Sequence, residues 1–89
     1  SRQSIWYKDK QEYQIYFSIL SSDTLSSIDT EDSLMHQINV SSYHAQLFIK
    51  NNRQSSSIVI FLPSNLIYIQ GALSEKDIIK IANNIHGLE

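Results

Sequence analysis

The C-terminal part of the chain carries the feature that most constrains its fold, a single amphipathic helix with a marked start. Ser74 is placed as an N-cap, and Asp77 follows three residues later, as in a capping box with Asp in place of Glu. Leu73 and Ile78 are spaced as a hydrophobic staple across that cap. The helix presents one apolar face at helical spacing, formed by Ile78, Ile81, Ala82 and Ile85. Such a stripe must be buried against another layer of structure.

The rest of the chain supplies that layer as β-strands. Apolar and polar residues alternate with a period of two in several segments, which is typical of half-buried strands. Strands are predicted over residues 4–7, 13–19, 36–40, 44–50, 58–62 and 66–70. Residues 21–33 form the longest predicted loop, with a helical turn after Thr30 and with Leu25 and Ile28 held on the core.

A series of strands followed by one helix predicts an α+β fold. We expect a mainly antiparallel sheet of about five to six strands, with one C-terminal α-helix packed on one face. A chain of 89 residues is long enough for one domain, which we place over residues 1–87. The last two residues, Leu88 and Glu89, resemble a cloning scar.

Two neighbouring strands are apolar on both faces. In the segment 58–62, Val59 and Phe61 point away from the other three residues, and in the segment 66–70, Leu66 and Tyr68 point away from Ile67 and Ile69. One helix can cover only one face of a sheet. The other face therefore needs its own cover, and three are open: the 21–33 loop, a copy of the chain, or another part of the parent protein.

The N-terminal hairpin is rich in aromatic residues, with Trp6, Tyr7, Tyr13 and Tyr16 close together in sequence. Such residues can bind a carbohydrate or a protein partner when they are exposed. They can also pair across the two strands of the hairpin, and this is the interpretation we favour. The partner surface that the sequence predicts consists of Val59, Phe61, Tyr68, Trp6 and Tyr16.

Charge and composition exclude several classes of function. The formal net charge is -2 and the seven basic residues are scattered, which argues against nucleic acid as a partner. No apolar run approaches the roughly 20 residues of a membrane span, so we expect membrane attachment only through an anchor outside this chain. The absence of cysteine excludes disulfides, zinc–thiolate sites and thiol catalysis.

The remaining polar residues do not form a recognisable catalytic or metal-binding motif. The three histidines, His36, His44 and His86, lack the spacing of metal ligands, so no metal is predicted. There is no G-x-S-x-G elbow, and only two glycines could shape an oxyanion loop. Gly71 has no glycine neighbours that would form a phosphate-binding loop. We therefore predict that the domain is not an enzyme and that it has no cofactor.

The C-terminal half resembles a known family, the bacterial domain of unknown function 4367. That family has a strand with a Trp, a Gly-Asn-like turn, a Tyr-x-Ile-x-Gly strand and a Leu-Ser-x-Glu-Glu-Ile-Ile-x-Ile-Ala helix. The segments of this chain that carry the resemblance are residues 38–40, 43–47, 58–61, 66–71 and 73–85. Two positions depart from the family pattern, because Phe61 stands where the family often has Trp and Ser42 stands where it has Gly.

The resemblance implies a location and a class of function, and it brings no catalytic residue. Members of that family are found at the C-termini of Gram-positive membrane-anchored proteins, including anti-sigma factors and lipoproteins. The resemblance therefore implies an extracytoplasmic domain, at the cell surface or membrane-anchored. We expect a non-enzymatic interaction or sensory domain that binds a protein partner, a domain of its parent protein or a second copy of itself.

The rival expectation is a carrier of a small hydrophobic ligand, such as a lipid or a peptide, held between sheet and helix. The supply of Ile and aromatic residues permits such a pocket, and nothing in the sequence requires it. The two expectations differ in structure: a deep apolar cavity favours the carrier, and a filled core with an exposed apolar face favours the interaction domain.

Overall fold

A computed structural model describes residues 2–23, 32–51 and 55–85 of the chain. It contains six strands and one helix, numbered here in chain order. The elements are β1 (Arg2–Lys8), β2 (Gln11–Ser21), β3 (Ser33–Val40), β4 (Tyr43–Lys50), β5 (Ser56–Phe61), β6 (Asn65–Gly71) and α1 (Glu75–Asn83). The predicted α+β fold, an antiparallel sheet with one C-terminal helix packed against it, is confirmed.

The strands form one sheet in the order β1-β2-β6-β5-β4-β3, and every neighbouring pair is antiparallel. Four consecutive strands, β3 to β6, form a meander, and the N-terminal hairpin adds to its β6 side. The connection from β2 to β3 joins two strands that have three others between them. The predicted turn after Thr30 and the packing of Leu25 and Ile28 fall within this connection, outside the described residues.

Two of the hairpins close through two-residue loops that need unusual backbone conformations. Lys8 pairs with Gln11, and the residues between them, Asp9 and Lys10, have φ values of 51° and 67°. Positive φ at both central positions is the geometry that matches the twist of a tight β-hairpin. In the β3–β4 hairpin, only Ser41 has a positive φ, of 55°. Neither loop contains the glycine that usually marks such turns, so the sequence pattern did not indicate their type.

The helix covers one face of the sheet, called the helix face here, and the core lies between them. The largest fully buried side chains of this face come from β4, β5, β6 and α1: Leu47, Ile58, Ile60, Ile69 and Ile78. Leu73, which precedes the helix, is also buried, as the staple prediction requires. The core between sheet and helix is thus filled by branched aliphatic side chains.

The start of α1 follows the predicted cap. Ser74 has an extended backbone, and its hydroxyl oxygen accepts a hydrogen bond from the Asp77 amide at 3.2 Å. The segment before the helix is tied to the sheet by Ser56, whose hydroxyl donates to the Leu73 carbonyl at 2.9 Å. Gly71 lets this segment approach β2, because a Cβ there would lie 3.2 Å from the Gln14 carbonyl oxygen.

The strand boundaries differ from the sequence prediction by up to three residues, and the helix also ends earlier than its apolar stripe. Strand β5 begins at Ser56, two residues before the start of the predicted strand at Ile58. Both Ser56 and Ser57 are buried in the sheet, and strand pairing with β4 and β6 outweighs their polar character. The helix ends at Asn83, before Ile85, although Ile85 still packs against the core.

Candidate functional site

The second face of the sheet is the side that points away from α1. Its large side chains alternate along each strand with those of the helix face, as the strand register requires. The second face is made of Ile5, Tyr7, Glu12, Gln14, Tyr16, Ser18, Leu20, Ser33, Met35, Gln37, Asn39, His44, Gln46, Phe48, Lys50, Ser57, Val59, Phe61, Leu66, Tyr68 and Gln70.

A cross-strand row through Val59 forms the centre of the second face. Val59 lies directly between Tyr68 on β6 and Gln46 on β4, and it has no exposed surface. Tyr68 is also the cross-strand partner of Ser18, which is buried. The Tyr68 ring meets the Tyr16 ring edge to face, with centroids 6.1 Å apart. Val59 is thus the base of this surface, while the tyrosines form part of its outer layer.

The outer layer is only partly closed. Phe61, Phe48 and Tyr68 are half-buried, Tyr16 is 38% exposed and Met35 is 46% exposed. In the described part of the chain, no helix lies on this side of the sheet. Residues 24–31, which belong to the loop that we considered as a cover, lie outside the described residues.

Four of the five residues predicted for a partner surface share the second face: Val59, Phe61, Tyr68 and Tyr16. Trp6 does not. It pairs with Tyr13 across the β1–β2 hairpin, with ring centroids 5.7 Å apart, and both rings pack against the core on the helix face. The strand alternation directs Trp6 to the helix face, so the structure does not bring it together with the other four residues. The favoured interpretation, aromatic residues paired across the hairpin, holds for Trp6 and Tyr13, whereas the Tyr16 ring meets Tyr68 on β6.

Sequence reasoning missed two neighbours in this surface. Phe48 on β4 and Met35 on the edge strand β3 are direct cross-strand partners on the second face. The signal for Phe48 was present, since it lies between the apolar residues Leu47 and Ile49 in a predicted strand and must therefore point to the opposite face. Met35 lay just outside the predicted strand, which started at His36, so its face was not assigned.

The helix face carries an ion pair close to the start of α1. The Lys8 ammonium donates to both carboxylate oxygens of Asp77, at 2.9 and 3.2 Å. The hydrogen bond from Lys8 lowers the pKa of the Asp77 carboxyl, against the opposing effect of its desolvation. The same hydrogen bond to Asp77 raises the pKa of Lys8. This contact links the N-terminal hairpin to the helix, and it lies on the opposite side of the sheet from the second face.

The described residues contain no cluster of three His, Asp or Glu side chains that could hold a metal ion. His36 and His44 are exposed and lie on opposite faces of the sheet. His86 lies outside the described residues. The absence of a metal site stays a prediction for the whole chain.

An open groove of about 580 Å³ lies on the helix side, where the end of β4 meets the first turns of α1. Its apolar lining comes from Ile49, Leu73 and Ile79, and its polar lining from Ser74, Glu75 and Lys76. The groove is a surface feature, separate from the filled core beneath the helix.

Comparison with known proteins places the chain in a family. No helix in the described part of the chain has the length and apolar character needed to cross a membrane. The searches of curated proteins and of solved structures find no match to this chain. A model of a domain of unknown function (DUF4367) matches residues 2–85, which includes the N-terminal hairpin as well as the C-terminal half. The chain therefore belongs to the family of the domain of unknown function DUF4367.

Proposed function

We propose that this domain is a non-enzymatic interaction or sensory module that binds a protein partner, or another domain of its parent protein, through the second face of the sheet. The observation that carries the proposal is the partly open aromatic layer around Val59. Phe48, Phe61 and Tyr68 lie only half-buried on a face that no described helix covers. Contiguous apolar surface of this kind on a folded domain usually serves an interaction.

The composition of this face supports a protein partner. Interface centres are rich in aromatic residues and Met and poor in charge. The centre of the second face has this composition, with Tyr16, Tyr68, Phe61, Phe48 and Met35 around Val59. Its charged residues, Glu12 and Lys50, stand at the ends of their strands. A charge-free centre with polar ends is the arrangement expected of a docking surface.

The proposed setting is extracytoplasmic, in a Gram-positive bacterium, as part of an anti-sigma-factor-like or lipoprotein-like protein. The support is the resemblance of the C-terminal half to such proteins. Attachment to a membrane would come from an anchor outside this chain. On this proposal the second face would receive a partner or signal on the outer side of the membrane.

The proposal can be tested by placing a photo-crosslinking benzoyl-phenylalanine at Phe61 in the source organism. We expect a discrete adduct with one protein, or with another part of the parent chain. The matched control carries the same group at Asn83, an exposed position on α1, and should give no such adduct. The purified adduct partner should then bind the wild-type domain, and Phe61→Ser should weaken that binding at least about tenfold.

Two results would contradict the interaction proposal. The first is a crosslinking pattern that is the same at Phe61 and Asn83. The second is a Phe61→Ser variant that keeps its thermal midpoint and binds the crosslinked protein with unchanged affinity.

The groove beside α1 favours a second candidate, the carrier of a small hydrophobic ligand. Its volume of about 580 Å³ lies within the roughly 300–1,000 Å³ of ligand pockets, and Ile49, Leu73 and Ile79 form an apolar lining. A fluorescent fatty acid titrated into the domain tests this function. Binding at one-to-one stoichiometry that is lost in Ile79→Asp, and kept in Asn83→Asp, would favour the carrier over the interaction module.

A further inference from the structure

The two edges of the sheet differ in how well they are protected from pairing with another strand. The edges are β1 and β3. An edge strand exposes a row of backbone N–H and C=O groups, and proteins usually protect it with charge, proline, bulges or short length. Strand β1 ends in Lys8, whose side chain is held by Asp77. Strand β3 has none of these protective features.

Strand β3 is regular, long and uncharged. Its eight residues, Ser33–Val40, contain no Asp, Glu, Lys, Arg or Pro. Its register with β4 runs without interruption from the Ser33–Lys50 pair to the Val40–Tyr43 pair, so no bulge bends it. In the described part of the chain, no further strand lies beyond β3. Such an edge is a template for an added strand.

The backbone groups that face outward can be assigned by residue. The Asp32 carbonyl accepts from the Asn51 amide, so at this end of the hairpin the even-numbered positions direct their backbone groups toward β4. Alternation then directs the backbone groups of Met35, Gln37 and Asn39 outward. These residues can form hydrogen-bonded pairs with a new antiparallel strand, and they also carry side chains of the second face.

We propose that β3 pairs in antiparallel orientation with β3 of a second copy of this chain, with Gln37 opposite Gln37 of the second copy at the two-fold axis. In this register Met35 lies opposite Asn39 of the second copy, and Leu34 lies opposite Val40 of the second copy. The two sheets join into one continuous sheet, and both helices remain on the same side. A two-fold contact of this kind is self-complementary by symmetry.

The character of β3 favours a second copy as the occupant. Because β3 contains no Asp, Glu, Lys or Arg, two copies meet without contacts between like charges of these residues. The pairing also covers the apolar side chains that the edge exposes, Leu34 at 52% and Met35 at 46%. A contact made by one strand is smaller than a standard stable interface, so we expect a weak dimer that forms at high concentration.

This inference rests on the backbone edge of β3, which the proposed function does not use, although Met35 belongs to both surfaces. The interaction proposal is tested at Phe61, on β5, and the dimer is tested at Gln37, on β3. Failure of either one leaves the other intact.

The test uses opposite charges placed at the two-fold axis and sedimentation equilibrium at low salt. The wild-type domain should show a monomer–dimer equilibrium as its concentration rises. Gln37→Lys and Gln37→Glu should each dimerise less than the wild type, because equal charges meet across the axis. An equimolar mixture of the two variants should associate roughly tenfold more tightly than either variant alone.

Matched controls use the other edge, where Ile5→Lys and Ile5→Glu change an exposed residue of β1. Both controls should dimerise like the wild type, alone or mixed. A wild-type domain that stays monomeric up to millimolar concentration overturns the proposal. A dimer that ignores the charges at Gln37 overturns it as well, as does a dimer that responds equally to charges at Ile5. A monomer that instead takes up a synthetic peptide of the β3 sequence would identify the edge as a site for other strands and would also overturn the dimer.

Discussion

The two faces of the sheet are built from the same strands and reach different degrees of closure. On the helix face, Ile58 and Ile60 are fully buried beneath α1. On the second face, Val59 between them is equally buried, yet Phe61 beside it is only half-buried. The helix face is covered by α1. On the second face, the side chains nearest the strands are buried, and the outer aromatic rings stay partly exposed. The comparison suggests that the helix face is responsible for stability and that the outer layer of the second face is available for binding.

The largest expected effect comes from comparing the adjacent positions Ile60 and Phe61. Ile60→Ser should lower the free energy of unfolding by about 2–5 kcal/mol, because it opens a cavity and places a hydroxyl in the core. Phe61→Ser should cost less than half of that amount, since part of the ring is already in water. Urea denaturation of both variants measures the difference. Equal losses would break the comparison, because they would mean that the second face is packed as tightly as the first.

A second, smaller difference is expected for the two adjacent serines of β5. Ser56→Ala removes the hydrogen bond to the buried Leu73 carbonyl and should destabilise the domain by about 1–3 kcal/mol. Ser57→Ala acts on the second face and should cost less, since no described link to the helix segment depends on it. Thermal melts of the two variants, which remove the same oxygen atom from neighbouring residues, make the comparison direct. A larger loss for Ser57→Ala would contradict the idea that the helix face carries most of the stability.

The smallest effect concerns the Lys8–Asp77 ion pair and has a defined pH dependence. The folded pKa of Asp77 lies below its ordinary value of 3.8, so the unfolded chain binds a proton more readily than the folded one. The resulting stabilisation is fully present above that ordinary pKa and is lost as pH falls through the lower, folded pKa. For Lys8 the folded pKa lies above the ordinary value of 10.5. The contribution of Lys8 to stability is therefore fully present below that ordinary value and is lost as pH rises through the folded pKa.

The measurement is the free energy of unfolding of the wild type and of Asp77→Asn across the acid range. The stability difference between them should shrink as pH falls below the ordinary pKa of the Asp77 carboxyl. Lys8→Met is the matched variant that removes the other partner. Salt should reduce the difference, because the Lys8 side chain is partly in solvent. A difference that stays constant with pH would show that the ion pair does not couple the hairpin to the helix.

Much of the fold could be predicted from local pattern, and the reasons are visible in particular residues. The cap at Ser74 acts within one turn of chain, so its sequence signature was sufficient. The opposite directions of Ile60 and Phe61 follow from strand alternation, which is also a local property. By contrast, the strand character of Ser56 and Ser57 could not be predicted, since it arises from pairing with β4 and β6.

The candidate site was predicted less completely. The register that places Tyr16 beside Tyr68 joins residues that are far apart in sequence, and no local signal specifies it. Trp6 lies apart from the other four residues because the strand alternation, and not closeness in sequence to Tyr16, decides its face. The pairing of Lys8 with Asp77 likewise joins the two ends of the chain and had no local signature.

The sequence by itself determined the periodic properties of this protein: the capped helix, the two-sided apolar strands and the absence of cysteine chemistry. These depend on interactions within a few residues or on composition, which a linear pattern records. Only the tertiary structure decided the strand order, the position of β3 at an edge and the greater burial of the helix face compared with the second face. Those features depend on which distant segments pair, and that choice reflects the free energy of the whole sheet and its helix.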